Sequence, residues 1–194
     1  MKYDFTTVYD RRGMDALAVD ALGQPGGFAP GKPKDGFSVI PMWVADMNFA
    51  TVPTIPAAII ERAQHPLYGY FATPDAYHQA ITDWQRDRNG VTDLPKEAIG
   101  YENGVLGGVI SALGCLAAPG DAVLARSEKP HYNEMNVLSM HALLGAYTPE
   151  GREWVDELCE VLSGNVNFAC DFITRHFPGV QVAKPEGTYM LFLD

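Results

Sequence analysis

The chain has 194 residues, of which 47% are hydrophobic and 20% charged, and its formal net charge is −10. That composition is globular rather than disordered, and the length suffices for one sizeable core or for parts of two domains. The negative balance argues against nonspecific binding to nucleic acid or to an anionic membrane surface.

Residues 1–38 are rich in Gly, Pro and charge and read as loop or arm. The N-terminal MKYDFTTVYDRRG lacks the apolar stretch of a signal peptide, and no run of about 18 apolar residues offers a membrane span, so a cytoplasmic location is expected. Phe37–Met47 is apolar and ends in PMWVADMNF. A Pro-punctuated helix is predicted over Val52–Gln64, then an aromatic loop, HPLYGYF. A second helix runs from Asp75, a capping residue type, to about Arg88, with Ala76, Ala80, Ile81 and Trp84 at helical spacing and Asn89-Gly90 as its stop. Pro95–Glu97 open a short turn.

Next come a short strand or extended entry at Ile99–Tyr101, a Gly-rich turn, a helix over Val105–Ala117, a Pro-Gly-Asp turn and a strand at Ala122–Ala125. Strand–helix–strand in this order points to a layered α/β domain. After Ser127 the chain is almost continuously helical to Phe177, with a break and fresh start at Thr148-Pro149-Glu150. Two short strands follow, in VQVAK and TYMLFLD, joined by Pro185-Glu186-Gly187. Three parts are expected: 1–90, an arm and dimer segment; 91–127, a strand–helix–strand; and 128–194, a long helix with a small C-terminal α+β unit.

Cys115, Cys159 and Cys170 lie far apart in apolar, helix-like contexts and read as reduced structural thiols. The five histidines form neither HxxxH nor HExxH, so no metal site is expected. Glycines ahead of the helix in NGVLGGV leave backbone N–H groups free to face an anion, a setting that suits a phosphate. Taken singly, this block, PMWVADMNF, HPLYGYF and PEGTYMLFLD each read as packing turns or core strands.

Taken together and in this order, the blocks resemble the pyridoxal-phosphate (PLP) family of MalY- and PatB-type cystathionine β-lyases, within the class I/II aminotransferase superfamily. The likeness is carried by Val44–Phe49, Tyr68–Tyr70, Trp84–Arg88, Gly104–Leu106, Pro119–Leu124 and Pro185–Asp194. It implies an α/β protein with part of the fold-type-I PLP-dependent transferase fold: part of the large-domain sheet plus a small C-terminal α+β domain. It further implies a homodimer acting on a small amino-acid substrate, as a C–S β-lyase or an aminotransferase. Backbone amides at Gly104, Val105 and Leu106 would hold the PLP phosphate, and Tyr70 would reach the phosphate of the neighbouring subunit's cofactor. Val44, Ala45 and Asp46 would line the substrate-carboxylate pocket through their main chain.

The sequence departs from the family pattern in several places. Asn48 stands where the family has aspartate, and the DRRG start lacks the following Lys-Trp-Asp. After Ala125 there is no stacking tyrosine element, no aspartate for the pyridine nitrogen and no S-x-[ST]-K segment, and the family's late arginine is not reached. The chain therefore reads as a fragment without a central lysine-bearing segment. Lys129 is the best of six lysines and a poor match, so no catalytic residue is assigned. Two other readings stay open: a catalytically inactive, truncated remnant that serves as a dimeric binding module, and an unrelated small α/β domain.

Overall fold

The computed structural model describes residues 1–25, 27–102, 104–116 and 136–194. Their elements, in chain order, are α1 (Leu17–Asp20), α2 (Thr54–Ala63), α3 (Asp75–Asn89), a 3₁₀ turn (Lys96–Ala98), α4 (Gly104–Leu116), α5 (Val137–Ala146), α6 (Pro149–His176), β1 (Val182–Ala183) and β2 (Phe192–Leu193). The chain divides into two compact units, one of Met1–Thr51 with Trp154–Asp194 and one of Val52–Glu153. Those borders fall at 51/52 and 153/154, whereas the compositional changes read from the sequence lie at 90/91 and 127/128.

In the unit Val52–Glu153, α2 and α5 lie against each other closely enough that a Cβ on Gly145 would come within 2.9 Å of the Ile55 Cα and 3.0 Å of the Ala58 Cβ. Only glycine permits that approach. Asn136 caps α5, its side chain accepting from the Leu138 and Ser139 amides at 2.9 and 3.0 Å. Tyr77, Val137 and Met140 form the buried centre between α3 and α5, flanked by Ile81, Leu138 and Leu143. Burial pushes the Tyr77 hydroxyl above its ordinary pKa. The expected inward face of α3 is therefore displaced by one residue at its start: Tyr77 is buried and Ala76 is exposed. Further along, Trp84 stacks on Tyr147 at 4.7 Å and Arg88 lies over the Trp84 ring.

One local expectation fails here. Asp75 is the first helical residue rather than the cap, because Pro74 takes the extended N-cap position and no side chain caps the end. At Ile99–Tyr101 the structure has an extended entry rather than a strand: Ile99 is extended at φ −97°, ψ 109°, and no strand among the described residues pairs with it. The Pro119–Asp121 turn, the strand at Ala122–Ala125 and Lys129 lie outside the described residues. The stop at Asn89-Gly90 is as read: Gly90 adopts φ +71°, and its amide returns to the Arg86 carbonyl at 3.1 Å.

In the other unit, the N-terminal arm is not free loop. Phe5 is buried, with its ring edge-on to Phe49 at 5.4 Å and tilted against Trp154 at 5.8 Å. The Trp154 indole donates to the Ala50 carbonyl at 3.2 Å. Glu157 accepts from the Lys2 and Tyr3 amides at 2.6 and 2.9 Å, and those two donors hold its carboxyl below the ordinary glutamate value. The C-terminal strands form one antiparallel ladder with Val182 opposite Leu193 and Ala183 opposite Phe192, shorter than the two strands read from the sequence. All three cysteines are free, and Cys115 and Cys159 are exposed, so these two are not core thiols.

Candidate functional site

The turn at Val44–Asp46 is fastened on both sides. Before it, the Trp43 indole donates to the Ala18 carbonyl at 3.0 Å, and Phe28 meets the Trp43 ring edge-on at 5.3 Å. After it, Phe49 packs on Phe5. Within it, the Asp46 amide donates to the Val44 carbonyl at 2.8 Å, a tight local turn. The Asp46 side chain does not cap that turn. Its carboxylate receives the Arg11 guanidinium at 2.8 Å, and the other arm of the same guanidinium donates to Asn48 at 2.9 Å.

Sequence reading missed Arg11. The DRRG block was visible, but an arginine and an aspartate 35 positions apart share no periodicity, so nothing in the sequence pairs them.

Tyr70 lies in the loop after α2. That loop is held from behind: the Tyr68 hydroxyl donates to the Ala63 carbonyl at 2.6 Å, and Arg62 donates to the His65 and Leu67 carbonyls. The Tyr70 ring has no such support and is 110% exposed, so its hydroxyl is presented outward.

Gly104, Val105 and Leu106 form the first turn of α4. Gly104 takes φ +74°, a left-handed conformation that glycine adopts at no steric cost. Its own amide is used, donating to the Glu102 carbonyl at 2.8 Å. The Val105 and Leu106 amides have no carbonyl four residues back within the helix, and the helix dipole adds partial positive charge at this end. Both side chains stand out in solvent, 83% and 77% exposed. An anion the size of a phosphate therefore meets donors, a dipole and open access. Such a helix end suits the phosphate of a cofactor, for which Val105 and Leu106 would be the donors and Gly104 would shape the turn.

Lysine placement is a separate matter. In the unit that carries α4, the one lysine among the described residues is Lys96, and its amine pairs with Asp75 at 3.2 Å. Lys184 precedes the Pro185–Gly187 turn and lines a groove against α6 with Cys159, Ser163 and Tyr189. Among the described residues, no three His, Cys, Asp or Glu side chains come together as a metal site, and no helix is long and apolar enough to cross a membrane.

No protein-family model matches the chain. In sequence it is 31% identical over 106 residues to the cystathionine β-lyase PatB of Bacillus subtilis (strain 168), a match covering 54% of this chain and 27% of PatB. The curated relatives it matches are thus covered over about a quarter of their length or less. In fold it is similar to the crystal structure of cystalysin from Treponema denticola, which contains pyridoxal 5′-phosphate. That likeness has a TM-score of 0.79 and 16% identity, and it extends over 100% of this chain and 84% of that one. The PLP-bound C–S lyase from Staphylococcus hominis gives a TM-score of 0.76 and 17% identity, over 100% of this chain and 83% of that one. At such identities the agreement speaks for the fold. In sequence, then, about half of the chain is similar to part of the cystathionine β-lyase PatB, and in fold the chain is similar to the crystal structures of cystalysin and of a PLP-bound C–S lyase.

Proposed function

We propose that the chain is part of a PLP-dependent C–S β-lyase or aminotransferase that acts on an amino acid, as a cytoplasmic homodimer. The observation that carries the reading is the first turn of α4, where Gly104 turns the chain and Val105 and Leu106 are exposed, on a segment that resembles the family's phosphate turn. The likeness to PatB supports it.

In this reading the Val105 and Leu106 amides hold the phosphate, and the Tyr70 hydroxyl donates to the phosphate of the neighbouring subunit. The main chain of Val44–Asp46 receives the substrate carboxylate. When bound, PLP supplies the electron sink that lets an amino acid lose its Cα proton. A lyase then releases a thiol from Cβ and an aminotransferase does not, so thiol release separates the two.

The test is PLP binding to the full chain by equilibrium dialysis, with inorganic phosphate as competitor, followed by borohydride reduction and intact mass. Phosphate-competed binding is expected, and Gly104→Asp should weaken it about fivefold to tenfold through like-charge repulsion and a perturbed turn. A fixed adduct on one lysine, with thiol release from cystathionine, supports catalysis. Binding without an adduct favours the inactive dimeric module instead. Absence of phosphate-competed binding sinks both.

A further inference from the structure

The Val44–Asp46 turn owes its ends to packing and its middle to one guanidinium. Arg11 reaches Asp46 at 2.8 Å and Asn48 at 2.9 Å, and the Arg11 and Asp46 side chains are 27% and 34% exposed. With the Asp46 amide spent on the Val44 carbonyl, Val44 and Ala45 are the N–H groups of this turn with no partner among the described residues. Beside them sits a carboxylate. Left alone, Asp46 would repel an incoming carboxylate, since like charges a few ångströms apart raise each other's energy. Arg11 cancels that charge, and Asn48 adds none. The fork also ties residues 46 and 48 to one rigid plane, as a bidentate guanidinium does and an ammonium does not.

We propose that Arg11 is a positioning residue that neutralises Asp46 and holds the Val44–Asn48 turn, so that the Val44 and Ala45 amides can receive a carboxylate. The inference rests on the reading of this turn given under Proposed function. It assigns Asp46 no direct contact with substrate: its side chain serves Arg11.

Two readouts on the full chain test it separately. The first is amide exchange at Asp46, whose N–H is the hydrogen-bonded one of the turn. Arg11→Met and Arg11→Lys should both accelerate it about fivefold, because both lose the fork. The second is binding of 3-(methylthio)propionate, a carboxylate without an amine, followed by NMR line broadening so that no cofactor is needed. Arg11→Met should weaken binding about fivefold, Arg11→Lys should stay within about twofold of wild type, and Arg11→Met with Asp46→Asn should recover it. Recovery in the doubly neutral variant marks a charge effect, which a purely structural role would not produce.

The positioning role is overturned if Arg11→Met leaves exchange unchanged. The charge role is overturned if the double variant fails to recover binding. If the wild-type chain binds no probe, the carboxylate reading of the turn falls and the charge role with it, while exchange still decides the positioning role.

Discussion

The turn at residues 43–50 and helix α4 carry the two blocks most telling of a ligand, yet the chain supports them in opposite ways. The turn is held by residues far away in sequence: Ala18 through Trp43, Arg11 through Asp46, and Phe5 and Trp154 around Phe49 and Ala50. Helix α4 has no buried residue, and its thirteen residues, GVLGGVISALGCL, include no charge. Four of them are glycines, which disfavour a helix standing alone. A main-chain site can thus be built from long-range packing or from a bare helix end. The first fails when a distant side chain is removed, and the second when its own backbone is altered.

The largest expected effect lies on the packed side. Phe5→Ala should cost about 3 kcal/mol, the usual cost of emptying a buried phenylalanine site, read from the urea midpoint. Faster exchange at Phe49 and Ala50 should accompany it. A cost below about 1 kcal/mol would mean the arm does not hold the turn. In the other unit, Gly145→Ala should destabilise by about 1–3 kcal/mol, because its Cβ would overpack the α2 backbone near Ile55. That result would show that the unit bearing α4 has its firm contact at α2 and α5.

Acid should loosen the arm next. The folded state holds the Glu157 carboxyl below the ordinary glutamate value of 4.5, through the Lys2 and Tyr3 amides. A depressed carboxyl contributes its stability above the unfolded pKa and loses it as pH falls through the lower folded one. The Lys2 and Tyr3 amide shifts should therefore titrate below pH 4.5 and stop titrating in Glu157→Gln. The smallest effects belong to α4: Leu106→Ser and Leu116→Ser should each change stability by under about 0.5 kcal/mol, since both side chains are largely exposed. A larger loss in thermal melts would show that something covers this helix and would erase the contrast.

Local signals in the sequence read well wherever the physics is local. The helices over 54–63, 75–89, 104–116 and 149–176 follow from periodicity, prolines at starts and glycines at stops, and the break at Thr148-Pro149 lies between α5 and α6. At the start of α3 the buried position is Tyr77 rather than Ala76, decided by tertiary contact with Val137 and Met140, while Ile81 and Trp84 are packed as their spacing predicts. The order of the sequence blocks was legible as well, enough to name the family resemblance and the fold class. Their surroundings were not legible. That Phe5 belongs to a core and that Asp46 answers to Arg11 rather than to its own turn are outcomes of contacts between distant residues. The sequence by itself determined which segments form helices and where the chain turns at Gly90 and Gly104, because those depend on neighbours within about four residues. Only the tertiary structure decided which side chains neutralise, brace or expose those turns, because contacts across 35 or more positions leave no period in the chain.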